Sequence, residues 1–181
     1  MSNNKQKVLW ITETAILLAL LLVFQVVTKP LGQLVTGSLV NLVLIVAVMV
    51  AGLASGLTIA IVSPILASIL GISPLWVLVP FIALGNTVLV LLWHFIANSK
   101  KGKMAVNYGI AWITAAVAKF AVLFVGVALV LVPLILKLPE PKASVISGSF
   151  SFPQLFTALI GGAVAMLIIP VLKKAVGNGK K

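Results

Sequence analysis

Residues 113–132, ITAAVAKFAVLFVGVALVLV, form an apolar run long enough to cross a bilayer, with a single charge, Lys119, inside it. A spanning helix needs about 20 mostly apolar residues. A lysine near the bilayer centre costs about 2.5–3.5 kcal/mol on insertion scales. Any fold built on this run must give that ammonium a polar partner or a polar cavity. The rest of the chain has the same character: 62% of its 181 residues are hydrophobic, 8% are charged, and the mean hydropathy is +1.29. Soluble domains carry about 25% charged residues. The composition therefore defines an integral membrane protein, and its length suggests one domain over residues 1–181.

Six apolar segments are expected to span, at about 8–27, 38–53, 56–70, 75–97, 108–136 and 153–172. The expected fold is an all-α integral membrane protein with six transmembrane helices in a single compact bundle. The opening, MSNNKQKVLWITETAILLALLLVF, has the basic start and apolar run of a signal peptide. Its run is too long for such a peptide and no small-residue cleavage site follows, so a retained first helix is expected. The second and third segments are joined only by AGLASG. The apolar stretch from Leu39 to Leu70 is too long for one helix, which favours two spans over one re-entrant hairpin. Pro64 and Pro80 lie inside apolar runs and are expected to kink or interrupt their helices, which neighbouring helices can accommodate.

All 13 basic residues are lysines, and they sit mainly at the ends of the apolar segments. Six spans would put both termini on one side, with Lys5, Lys7, Lys100, Lys101, Lys103, Lys173, Lys174, Lys180 and Lys181. The other side would hold Lys29, Lys137 and Lys142. Basic loops favour the cytoplasm, so both termini are expected there. This placement at span ends also accounts for the net charge of +11 without a nucleic-acid partner. The inner loops are short and basic. The outer ones, TKPLGQLVTGS and KLPEPKASVISGSFSF, are more elaborate, which suggests capture of something from outside.

Several chemistries are excluded. Without cysteine there are no disulfides, thiolate nucleophiles or thiolate metal sites. No G-x-x-x-x-G-K-[ST] loop is present, so this chain does not hydrolyse ATP by that route. The absence of H-E-x-x-H and of an acidic cluster argues against a divalent metal. One histidine, His94, and no aspartate cannot make a Ser-His-Asp triad. A Ser-Lys pair from Ser63 and Lys119 is conceivable, but nothing in the sequence brings them together. No cofactor and no metal are expected.

Two roles are open for Lys119. Counted from Tyr108 it lies about 16 Å into its helix, near the middle of a roughly 30 Å hydrocarbon core. It can be a ligand contact, as intramembrane charges commonly mark ligand or ion pathways. It can instead be a structural lysine bonded to a carbonyl or an asparagine of a neighbouring helix. Neither acid pairs with it at that depth: Glu13 is near the inner edge and Glu140 is in an outer loop. A lysine facing a cavity would favour an anionic or carbonyl-rich ligand.

Other polar residues populate the outer half: Asn41, Asn86 beside Thr87, Gln154 and Thr157, with Gln33, Thr36 and Ser38 in or beside the first outer loop. Each alone suits an interhelical hydrogen bond. Together with Lys119 they fit a substrate pocket open to the outside and capped by a loop. Trp10, Trp76, Trp93, Trp112 and Tyr108 fall near span ends and are expected to be interfacial anchors. In AILLA, Ala15 and Ala19 are four apart, a spacing that lets helix backbones approach closely; Ala47 and Ala51 repeat it.

In size, six short spans, basic cytoplasmic ends and Ala15-x-x-x-Ala19, the chain resembles a substrate-binding S-component of an energy-coupling factor (ECF) vitamin transporter. The resemblance implies a prokaryotic cell-membrane protein that is not an enzyme and binds a small water-soluble vitamin or precursor near the outer face. TKPLGQLVTGS would act as its lid. It further implies partnership, in the lipid bilayer, with a transmembrane T-component and two cytosolic ATPases, with Ala15 and Ala19 docking on the T-component. Substrate would be delivered inward by toppling of the S-component. Two other readings remain. A self-contained small carrier or channel would need an ion-coupling acid or an inverted repeat, and neither is visible. A membrane scaffold protein would have no use for a costly buried lysine.

Overall fold

The computed structural model describes residues 3–73 and 75–178. Lys180 and Lys181, two of the lysines behind the expected orientation, lie outside the described residues. Every regular element among the described residues is helical. This is the arrangement that lets an apolar backbone satisfy its own hydrogen bonds in lipid. We label the helices α1 (Asn3–Thr28), α2 (Gln33–Ala51), α3 (Leu53–Ile69), α4 (Trp76–Ala97), α5 (Met104–Leu136), α6 (Lys142–Ser149) and α7 (Phe152–Asn178).

Five stretches are long and apolar enough to cross a membrane: Asn4–Leu31, Gln33–Ala51, Trp76–Ala97, Met104–Leu136 and Lys142–Ala175. The expected sixth, α3, is an apolar helix of 17 residues, or about 25 Å. It starts three residues before the expected 56 and ends one residue before the expected 70, so it is slightly longer than expected and still shorter than the other spans. Gly52, with φ +99°, occupies a conformation open to glycine and ends α2 after Ala51. Leu70 and Gly71 close its other end in a turn. The loop expected between the fifth and sixth spans also departs from expectation, because KASVISGS within it forms the short helix α6.

Helix α5 begins at Met104, four residues before the expected start. Lys119 therefore lies about 22 Å from the beginning of its helix. From Phe124 to Leu136 the helix widens to π-type hydrogen bonding, with Pro133 inside that segment.

Without a hydrophobic drive between helices in lipid, close packing and interhelical hydrogen bonds hold the bundle together. Two contacts set the geometry of the later site. A Cβ at Gly161 of α7 would lie 2.5 Å from the Ser38 carbonyl oxygen and 2.8 Å from Asn41 Cβ. Only glycine allows α7 to sit this close to α2. One turn away, Thr157 Oγ1 accepts from Asn41 Nδ2 (3.3 Å). Gly85 of α4 makes the same kind of space for Leu123 of α5, whose Cγ would be 2.9 Å from an added Cβ. Buried hydroxyls of Thr14 and Ser55, 2.8 Å apart, link α1 to α3.

The main core holds Leu21, Leu44, Ile45, Ile59, Leu89 and Trp93, all inaccessible. Trp93 was expected at the membrane interface; it is instead fully buried and packs edge-on against Tyr108, with centroids 6.1 Å apart. Tyr108 is buried too, whereas Trp10 and Trp76 are exposed. The Trp112 indole donates to the Leu159 carbonyl (2.8 Å). Position near a span end did not distinguish an anchor from a core aromatic, because α4 and α5 pack tightly at that end. A smaller core of Leu78, Leu123, Val127, Leu131, Ile146 and Phe150 lies under α6.

Candidate functional site

Between the two cores is a cavity of about 210 Å³. Its polar lining comes from the late part of α1 (Gln25), the start of α2 (Gln33, Thr36, Asn41), the turn after α3 (Ser73), α4 (Asn86), α5 (Lys119), the end of α6 (Ser149) and the start of α7 (Gln154). These segments share the end of the bundle opposite the chain termini. Its apolar walls include Val40, Ile82, Leu123 and Phe150.

Lys119 is 3% exposed and reaches across to two neighbouring helices. Its Nζ donates to Asn41 Oδ1 (2.6 Å) and to Asn86 Oδ1 (2.7 Å). Hydrogen bonds to a charged group contribute about 1.5–3 kcal/mol each. Two of them are large enough to offset the insertion cost of about 2.5–3.5 kcal/mol. The asparagines are oriented in turn. Asn41 Nδ2 donates to the Gly37 carbonyl (2.9 Å), which leaves its oxygen to face the lysine. Asn86 Nδ2 makes a long 3.5 Å contact with the Ala60 carbonyl.

An ammonium carries three N–H donors. Two are accounted for, and the third has no partner among the described residues. Neither acid lines the cavity. Glu140 is in the segment between α5 and α6, where its carboxylate accepts from the Ser144 amide (3.2 Å).

Of the seven residues expected to bind substrate, the structure brings Lys119, Asn86, Asn41, Gln154, Gln33 and Thr36 to this cavity. Ser38 is not among the lining residues; its hydroxyl is turned back to the Leu34 carbonyl of its own helix (2.6 Å). Gln154 donates to the Ser149 carbonyl (3.0 Å) and Thr36 to the Thr28 carbonyl (2.9 Å). At the rim, Lys29 Nζ donates to the Gly71 carbonyl (2.9 Å), tying the segment after α1 to the turn after α3.

Sequence reasoning missed Gln25, Ser73 and Ser149. Gln25 had a readable signal: it is the only amide in an otherwise apolar helical run, LLLVFQVV. Its Oε1 is buried and has no hydrogen-bond partner among the described residues. Ser73 and Ser149 are brought to the cavity by the turn after α3 and by α6.

Ala15 and Ala19 lie far from the cavity on the exposed side of α1, among exposed Ile11, Ile16, Leu20 and Val23. Among the described residues no cluster of metal-ligating side chains occurs.

The cavity therefore offers one lysine amine, several polar groups from separate helices, and apolar walls. That is the make-up of a site for a small polar ligand. No curated protein and no solved structure matches the chain. The sequence model of a family described as "ECF transporter, substrate-specific component" matches residues 10–173. The match takes in every residue lining the cavity and all but the terminal ends of the first and last spanning stretches, and the chain belongs to this family of substrate-specific components of ECF transporters.

Proposed function

We propose that this subunit captures a small water-soluble vitamin or vitamin precursor at the outer face of a prokaryotic cell membrane. It would hand the ligand inward with a T-component and two cytosolic ATPases. The observation that carries the ligand part is the buried Lys119 ammonium lining a polar cavity, with one donor still unused. The site consists of Lys119 with Asn41 and Asn86 around it, and Gln33, Thr36 and Gln154 toward the mouth. Ser38 supports α2 and is left out of the site. With its Lys29 bridge, the segment between α1 and α2 is the lid.

The membrane arrangement follows from the same reading. The chain makes six spans in one domain, with α3 as the short one. The excess of lysines on the side of the termini puts both termini in the cytoplasm, so the cavity opens outward. On this reading Ala15 and Ala19 present a flat, small-residue face of α1 to the T-component, a surface on which helices approach closely. Their exposure in the isolated chain supports that role. Without a phosphate-binding loop of its own, the subunit would take its energy from the ATPases.

Affinity purification of the tagged chain from its native membrane tests this directly. The expected result is capture of a T-component and two ATPases, together with a retained small molecule found by mass spectrometry. Robust uptake by the chain alone in liposomes free of ATPases would overturn it.

A further inference from the structure

The polar groups of the cavity restrict the ligand more narrowly than its size does. The inference rests on the reading that the cavity holds the transported molecule. Asn41 Oδ1 and Asn86 Oδ1 both face Lys119, and both amide nitrogens donate elsewhere in the protein. The asparagines are thus committed to holding the ammonium. Both are neutral, and no carboxylate lines the cavity, so the positive charge has no counter-charge among the lining residues. Helix α1 presents to the cavity one buried acceptor, Gln25 Oε1, without a donor among the described residues. Lys29 is exposed, engaged with the Gly71 carbonyl, and not part of the lining.

We infer that the ligand is a small monoanion: its one carboxylate-type group accepts the third Lys119 N–H, another part of it donates an N–H or O–H to Gln25 Oε1, and Asn41 and Asn86 act as positioning residues for the lysine. A neutral ligand would leave the ammonium without a counter-charge once water is expelled. A dianion would bring a second charge among Val40, Ile82 and Leu123 with no cation to meet it. An uncompensated buried charge costs several kcal/mol, which sets the preference for a single negative charge. The volume of about 210 Å³ excludes large ligands.

The test uses two small acids that also carry N–H or O–H donors, each with its neutral counterpart: 4-aminobenzoate and 4-aminobenzamide, pantothenate and pantothenol. Retention on the full chain in nanodiscs is read by native mass spectrometry for the wild type, Asn86→Asp and Asn41→Asp. Each substitution is nearly isosteric and puts a carboxylate beside Lys119. The wild type should retain at least one acid ~tenfold or more better than its neutral counterpart, and either aspartate should weaken that acid by ~tenfold or more. Melting temperature is recorded in parallel. An aspartate variant that is stabilised yet binds the acid as before makes Lys119 purely structural and overturns the inference. Neutral counterparts held as well as the acids overturn it too, while leaving the cavity as the substrate site. Retention of no probe by a chain that still captures the T-component overturns the inference alone. Loss of both would bring down the transporter reading on which it rests.

Discussion

Replacing Lys119 with methionine separates the two jobs that the structure gives this residue. The substitution keeps most of the side-chain volume and removes the ammonium. Folding loses two charge-assisted hydrogen bonds, about 1.5–3 kcal/mol each, and leaves two buried amide oxygens unpaired. Against this, the insertion cost of a central lysine, about 2.5–3.5 kcal/mol, disappears. The two bonds together are about 3–6 kcal/mol against a gain of about 2.5–3.5 kcal/mol, so the variant should fold with a lowered melting temperature. Binding has no such compensation. Truncating one partner of a buried charged hydrogen bond costs about 2–5 kcal/mol. At about 1.4 kcal/mol per tenfold, affinity should fall by roughly 30-fold to several thousand-fold. The assay is calorimetric titration of the ligand identified by mass spectrometry, beside a melting curve in the same detergent. Unchanged affinity in a folded variant would refute the ligand contact. A variant that does not fold would show that the lysine's structural role outweighs its insertion cost.

Three other outcomes follow from the packing. Ala15→Trp should block assembly with the T-component and spare ligand binding, and normal assembly by pull-down would count against docking through this face. Gly161→Leu should cost about 1–3 kcal/mol or more by overpacking, because its side chain would meet the Ser38 carbonyl and Asn41; it should also weaken ligand binding through displacement of Asn41, and a melting curve like that of the wild type would contradict this. Trp93→Ala should cost about 3–5 kcal/mol, since Trp93 is fully buried against Tyr108; a loss near zero by thermal unfolding would restore the interfacial role expected from its position.

Much of the site was legible because polar residues stand out in an apolar chain. Lys119, Asn41 and Asn86 are conspicuous within apolar runs, and each sits in a different helix. The sequence left Lys119 open between a ligand contact and a lysine bonded to a neighbouring asparagine. The structure shows two such asparagine bonds, with no third partner for the lysine nitrogen among the described residues. Helix faces were harder to read. In a soluble protein a polar stripe marks the outward face, but here lipid-facing Ile11 and Ile16 look like core-facing Leu21 and Leu44. That uniformity also hid the burial of Trp93. The extra helix α6 was hidden for a different reason: KASVISGS between prolines and serines reads as loop, and it is packed through Ile146 onto the smaller core. Helix α3 was expected as a short span over 56–70, and the break at Gly52 and the turn at Gly71 bound it as a 17-residue helix over Leu53–Ile69.

The central claim is that the transported molecule sits in the cavity against Lys119. An experimental structure of the chain with its co-purified ligand tests this most directly. The account predicts a ligand oxygen at about 2.7–2.9 Å from Lys119 Nζ, with Asn41 and Asn86 still holding the ammonium. A ligand seated elsewhere, such as the second hollow formed by Val132, Lys137, Glu140 and Ser144, would contradict it.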